Sequence, residues 1–210
     1  MRYPKLRELK EAIKAVIKGP YTTKFPFEPH TPAEKFRGKP VPDEQWCVGC
    51  EACAEVCPSD AIEIIDDAKA KIRKIIRHYD DCIFCGQCEL NCLTEKGVKL
   101  TQEYDLATFD RSTLVHEQEF ELIVCERCGQ VIGTKKHFLW LARKLGPLAY
   151  SNFPLILVAQ SELEIVEEIP LEPLPAEPLT RSDIFRILCP KCRHQGLLFD
   201  QYGKSSASQT

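Results

Sequence analysis

CVGCEACAEVC (residues 47–57) and CIFCGQCELNC (82–92) repeat one spacing, C-x-x-C-x-x-C-x-x-x-C, with Cys82 standing 35 positions after Cys47. A C-x-x-C-x-x-C loop is short enough to turn three thiolates towards one [4Fe-4S] cubane. The fourth cysteine, beyond three further residues, serves the other cluster. The spacing therefore predicts a first cluster on Cys47, Cys50, Cys53 and Cys92, and a second on Cys82, Cys85, Cys88 and Cys57. Disulfides or structural zinc explain some of these cysteines but not the doubled four-cysteine register.

Working outward, Cys57-Pro58 followed by Ala61, Ile62 and Ile64 matches Cys92-Leu93 followed by Val98 and Leu100. Each half should be a cysteine loop, one helical turn and a short strand. The second half has Leu93 in place of Pro58 and carries one extra residue before its strand. Residues 63–79, with Ile72, Ile75 and Ile76, suit a helix or a hairpin, and the hairpin is the expectation. The fold class is α+β: a duplicated bacterial-ferredoxin-like domain over residues 41–105, flanked by two further regions.

Ahead of it, Leu6, Leu9, Ile13, Val16 and Ile17 recur at helical spacing, with Lys5, Arg7, Lys10, Lys14 and Lys18 on the other faces. Gly19-Pro20 ends this basic amphipathic helix. Residues 20–46 are rich in proline and aromatics (Tyr21, Phe25, Phe27, Phe36, Trp46), an extended arm whose apolar side chains have no local core. They are expected to pack on another protein, and residues 1–40 form one partner-binding region. Whether the helix rests on anionic headgroups or on a partner is left open.

Behind it, Cys125-Glu126-Arg127-Cys128-Gly129 and Cys189-Pro190-Lys191-Cys192 are two C-x-x-C pairs with 60 residues between Cys128 and Cys189. Four thiolates make a closed tetrahedral shell, most often structural zinc. A single iron, or an unmetallated or disulfide state, are the other readings. Residues 106–199 are thus expected to be a zinc-ribbon-like lobe containing an amphipathic helix over Lys135–Leu145, ended by Gly146-Pro147. A Pro/Glu-rich linker is expected at 167–178 and a disordered tail at 200–210. With the shell complete, His194 reads as a loop histidine, and His30, His78, His116 and His137 are scattered.

A chain of 210 residues with 12 cysteines and no signal peptide points to the cytoplasm, where thiols hold metal rather than disulfides. The net charge of −3 excludes a broad basic field for nucleic acid. Apolar runs such as Pro154–Ala159 are too short to span a bilayer. No nucleophile, base and orienter assemble, and there is no phosphate-binding glycine loop. Electron transfer, not bond chemistry, is the expected task.

Residues 21–26 (YTTKFP), Phe36-Arg37-Gly38-Lys39-Pro40, the doubled cysteine motif with Cys82-Ile83-Phe84-Cys85-Gly86, and Thr101-Gln102-Glu103-Tyr104 carry a resemblance. Over roughly residues 15–130 the chain resembles the two-cluster ferredoxin-like subunit of formate hydrogenlyase and hydrogenase-4 complexes, a family homologous to the two-cluster subunit of respiratory complex I. The C-terminal C-x-x-C pairs look like the extension of the formate hydrogenlyase branch. The resemblance implies a peripheral subunit on the inner face of the cell membrane, inside a group 4 [NiFe] hydrogenase. It would pass electrons from an upstream iron-sulfur donor subunit to the small hydrogenase subunit, which works with the large one. A different class of function, a stand-alone iron-sulfur scaffold or assembly factor, is the alternative, and the exposed apolar arm speaks against it.

Overall fold

The computed structural model describes residues 5–19, 22–162, 183 and 185–198. The linker expected at 167–178 and the tail expected at 200–210 lie outside the described residues, as do Pro20 and Tyr21. The chain divides into two compact units, residues 1–36 and residues 37–210.

In the first unit, helix α1 (Leu6–Lys18) follows the sequence periodicity closely. Glu8 Oε2 accepts the Lys5 backbone N–H at 3.0 Å, and Gly19 closes the helix in a positive-φ conformation at +80°. No residue of α1 is buried, and Leu6, Leu9, Ile13, Val16 and Ile17 are all more than half exposed. No described helix is long and apolar enough to cross a membrane.

The second unit opens with β1 (Pro40–Pro42), paired antiparallel with β4 (Val98–Leu100). The pairing extends outwards: Gly38 N–H donates to Thr101 O at 2.9 Å and Lys39 N–H to Glu103 O at 2.8 Å. A Cβ on Gly38 would meet Glu103 O at 2.3 Å, so only glycine permits this approach. Two prolines in a three-residue strand are tolerated because the strand is an edge with one face unpaired. Residues 37–40, expected in the partner-binding arm, therefore belong with the cluster loops. Arg37 Nη1 confirms the attachment by donating to Cys85 O at 2.9 Å.

The hairpin expected between the cysteine runs is present as β2 (Ile62–Asp67) and β3 (Ile72–His78), and it grows into a larger sheet. Strand β5 (Val115–Val124) pairs with β3 and then with β6 (Val131–Thr134), giving the order β2-β3-β5-β6. This sheet crosses residue 105, the boundary expected between two lobes. Along β5 the alternation holds as far as Leu122: His116, Gln118, Phe120 and Leu122 turn inward while Glu117, Glu119 and Glu121 face solvent. Lys74 meets Glu117 at 2.6 Å and Glu119 at 2.8 Å on that outer face. Inside, Ile75 and Phe120 pack with Cys47, Ile62 and Ile64 beneath the first cysteine loop.

Helix α4 (Lys135–Leu145) has the bounds read from the sequence. The apolar run at 154–159 lies in α5 (Phe153–Ser161), which packs on α4 through a 3-10 turn over Gly146–Ser151. Thr134 joins this region to the first cysteine loop. Its buried hydroxyl accepts the His137 N–H at 3.2 Å as the cap of α4 and donates to Val48 O. Thr134→Val keeps the shape but leaves both partners unsatisfied, and is expected to destabilise the metal-loaded chain by about 1–3 kcal/mol. Chemical unfolding of the two proteins measures it; an unchanged midpoint would remove Thr134 from this role.

Candidate metal centres

The two cysteine loops repeat each other in backbone as well as spacing. Gly49 and Glu51 adopt positive φ of 68° and 67°, and their counterparts 35 positions on, Phe84 and Gly86, adopt 53° and 82°. Asp60 and Glu95 repeat it again at 51° and 60°. Left-handed residues at alternate positions coil each loop so that its three sulfurs face inward; for Glu51 and Phe84 this conformation is unfavourable and is held by the surrounding structure. Each loop then runs into one helical turn, α2 (Ala52–Glu55) and α3 (Gln87–Leu90). The fourth cysteines match too, with Cys57 Sγ 3.7 Å from Ser59 Oγ and Cys92 Sγ 3.5 Å from Thr94 Oγ1.

Two cavities result, and each mixes the runs. One is lined by Cys47, Cys50, Cys53 and Cys92, the other by Cys57, Cys82, Cys85 and Cys88. The fourth cysteine of each run thus lies with the three loop cysteines of the opposite run. The cavities adjoin: burial, and next the neighbouring Cys53 of the other set, push the Cys88 thiol up to about 11. Burial and nearby thiols likewise raise Cys50. At Cys92 burial is outweighed by the Thr94 hydroxyl and by the backbone N–H groups of Thr94, Gly97 and Val98, which lower its pKa. Gathering eight sulfurs so tightly favours an occupant that stabilises thiolate.

The residues present fit iron-sulfur clusters. All donors are thiols, and Gly97 keeps one wall open, since a Cβ there would lie 3.1 Å from Cys92 Sγ. Two buried polar atoms on residues lining the second cavity, Arg77 Nε and Tyr79 OH, lack a partner among the described residues. Donors of this kind suit cluster sulfurs, which accept weak hydrogen bonds.

The sequence reading missed the two arginines of β3. Arg73 is buried and paired with Glu51 and with Asp66 at 2.6 Å, and donates to Gly49 O at 2.9 Å, tying the hairpin to the first loop. Arg77 is 2% exposed. A signal existed: Arg73, Ile75 and Arg77 share one strand face at period two.

The C-terminal cysteines also converge. Cys125 directly follows β5, and Cys128 precedes Gly129, whose φ of 70° and N–H to Cys125 O at 2.9 Å form a tight knuckle before β6. Cys189 and Cys192 sit at the start of α6 (Pro190–Leu198). The second pair therefore opens a helix: the stretch after Cys189 takes helical hydrogen bonds, with Arg193 N–H to Cys189 O at 3.0 Å. Glu126 joins the two pairs by exchanging hydrogen bonds with Ile187, N–H to O at 3.0 Å and Oε1 from N–H at 2.9 Å.

All four Sγ atoms lie within 4.8 Å of one another, and Cys128 and Cys189 are 3.7 Å apart. Tetrahedral zinc with Zn–S bonds of about 2.3 Å places its sulfurs about 3.8 Å apart, whereas a disulfide needs about 2.05 Å. Burial and the surrounding thiols push Cys192 up to about 12. Cys125 is brought down to about 7, because backbone N–H groups of Cys189, Cys128 and Arg127 outweigh its burial.

Comparison with known proteins places these features in one class. Residues 46–96 match the 4Fe-4S dicluster domain. Formate hydrogenlyase subunit 6 of Escherichia coli is 38% identical over 126 residues, 59% of this chain and 69% of that protein. NADH-quinone oxidoreductase subunit I 2 of Geobacter metallireducens is 32% identical over 127 residues, 57% of this chain and 96% of that protein. The NAD(P)H-quinone oxidoreductase subunit I of Gloeobacter violaceus is 32% identical over 104 residues, and the chain spans only 49% of its length. The chain belongs to the family of two-cluster iron-sulfur subunits that includes formate hydrogenlyase subunit 6 and NADH-quinone oxidoreductase subunit I.

Proposed function

We propose that this chain is an electron-relay subunit of a membrane-associated [NiFe] hydrogenase complex of the formate hydrogenlyase kind, holding two [4Fe-4S] clusters in a duplicated ferredoxin-like domain. Cys47, Cys50, Cys53 and Cys92 hold the first; Cys82, Cys85, Cys88 and Cys57 hold the second. The observation that carries this reading is the pair of adjoining cavities, each lined by three cysteines of one run and the fourth of the other. The clusters supply one-electron storage at modest structural change. The protein's share is to hold them side by side and to present them to a donor and an acceptor. Proton reduction belongs to the partner subunits.

Cys125, Cys128, Cys189 and Cys192 hold a structural zinc, which leaves no coordination position for water and closes the chain between β5 and α6. Helix α1 and the arm up to Phe36 anchor the subunit against the core of the complex or its membrane side, because the apolar stripe of α1 is exposed along its length.

Anaerobic purification from the native host should give about eight irons per chain, together with one zinc and co-purifying hydrogenase subunits. Four irons would remove one cluster, absence of zinc would remove the third site, and a chain that purifies alone would overturn the assembly role.

A further inference from the structure

We propose that Arg77, which lines the second cavity and reaches Cys53 of the first set, is a potential-setting residue for both clusters, a buried cation that favours the reduced relay, with the Tyr79 hydroxyl acting beside it on the second cluster alone. This rests on the reading of the two cavities as cluster sites. Arg77 lies where they adjoin. Nη2 stands 4.0 Å from Cys53 Sγ of the first set, and the same residue lines the cavity of Cys57, Cys82, Cys85 and Cys88.

Its surroundings leave the charge uncompensated. Nη1 donates to the neutral Gln118 Oε1 at 2.8 Å, Nε has no partner, and among the described residues no carboxylate pairs with it. Arg73, two residues earlier on the same strand face, is the internal contrast, since Glu51 and Asp66 both pair with it. His116 faces Arg77 across the strands, and burial together with the Arg77 charge lowers its pKa; an imidazole supplies no anion in either of its protonation states. A lone guanidinium with 2% exposure is costly unless an anion stands nearby. The thiolate-bound clusters are that anion.

The consequence follows from charge. When a reduced one-electron carrier gives up an electron and is itself oxidised by one, the accepting cluster becomes more negative by one unit with no proton taken up. Arg77 stabilises that added charge at either cluster, so it raises both reduction potentials. Tyr79, whose buried OH has no partner among the described residues, lines the second cavity and not the first, and acts on that one. Burial, and then Cys82, Glu103 and Cys88, raise its phenol against the lowering by Arg77.

The test is potentiometric titration of the anaerobically purified full chain, with each cluster followed by its paramagnetic signal and iron counted in parallel. Arg77→Gln removes the charge, and Gln118→Glu neutralises it without touching Arg77. Each is expected to shift both reduction equilibria by roughly tenfold towards the oxidised form, about 59 mV for one electron. Tyr79→Phe should shift the second cluster alone, and Arg77→Lys should restore most of the loss. Charge variants that keep their iron and leave both potentials unmoved overturn the proposal. So does loss of both clusters in Arg77→Gln and Gln118→Glu alike, which makes Arg77 a structural support. An unaltered chain that lacks two cluster signals sinks the underlying cluster reading instead.

Discussion

Replacing Cys57 by alanine is expected to disrupt the cluster at Cys82, Cys85 and Cys88 and to leave the loop of Cys47, Cys50 and Cys53 with its ligands intact. Cys57 follows the first loop in sequence but lines the second cavity, so its removal takes one of four thiolates from a cluster held by residues 82–88. Cys92→Ala should do the reverse, because Cys92 lines the first cavity. A cubane with three protein thiolates loses iron readily, and metal binding here is coupled to folding of a small duplicated unit with little core of its own. Paramagnetic resonance of the reduced, anaerobically prepared variants separates the two signals. If Cys57→Ala altered only the signal assigned to Cys47, Cys50 and Cys53, crossed ligation would be wrong.

Deleting residues 1–36 should leave both clusters assembled, detach the chain from its complex and abolish electron flow to the hydrogenase. The first compact unit ends at Phe36, and the cluster unit begins with Arg37, whose guanidinium holds Cys85 O. A cut at residue 40 would instead remove Gly38 and Lys39 from their pairing with Thr101 and Glu103, confusing loss of anchoring with damage to the second loop. Burying even two of the exposed α1 side chains against a partner, at about 1.5–3 kcal/mol each, corresponds to a hundredfold or more in affinity. Co-purification and hydrogen evolution measure the outcome. A truncated subunit that stays bound and supports the full rate would end the anchoring role.

The grouping of the eight thiols was legible in the sequence because its chemistry is local. Three thiolates two residues apart can reach one cluster whatever surrounds them, and the fourth is directed away by its own spacing. Helices α1 and α4 were legible for the same reason: an apolar stripe at period 3.6 and a glycine stop act within a few turns. The hairpin of β2 and β3 needed only its own short turn to close.

The tertiary structure decided what depends on distant partners. Strand β5 alternates plainly from Val115 to Leu122, but its pairing with β3 forms across more than thirty intervening residues, and no local rule selects that edge over another. That pairing carries the sheet past residue 105 and puts Gln118 and His116 against Arg77. The distant C-x-x-C pairs announced a common site, while the helix at the second pair and the Glu126 clamp came from packing around them. By its residues alone the sequence determined which thiols gather into sets. The burial of a charged arginine between the two thiol sets was decided by the sheet, because burial is a property of what the completed fold lays over a side chain rather than of the side chain itself.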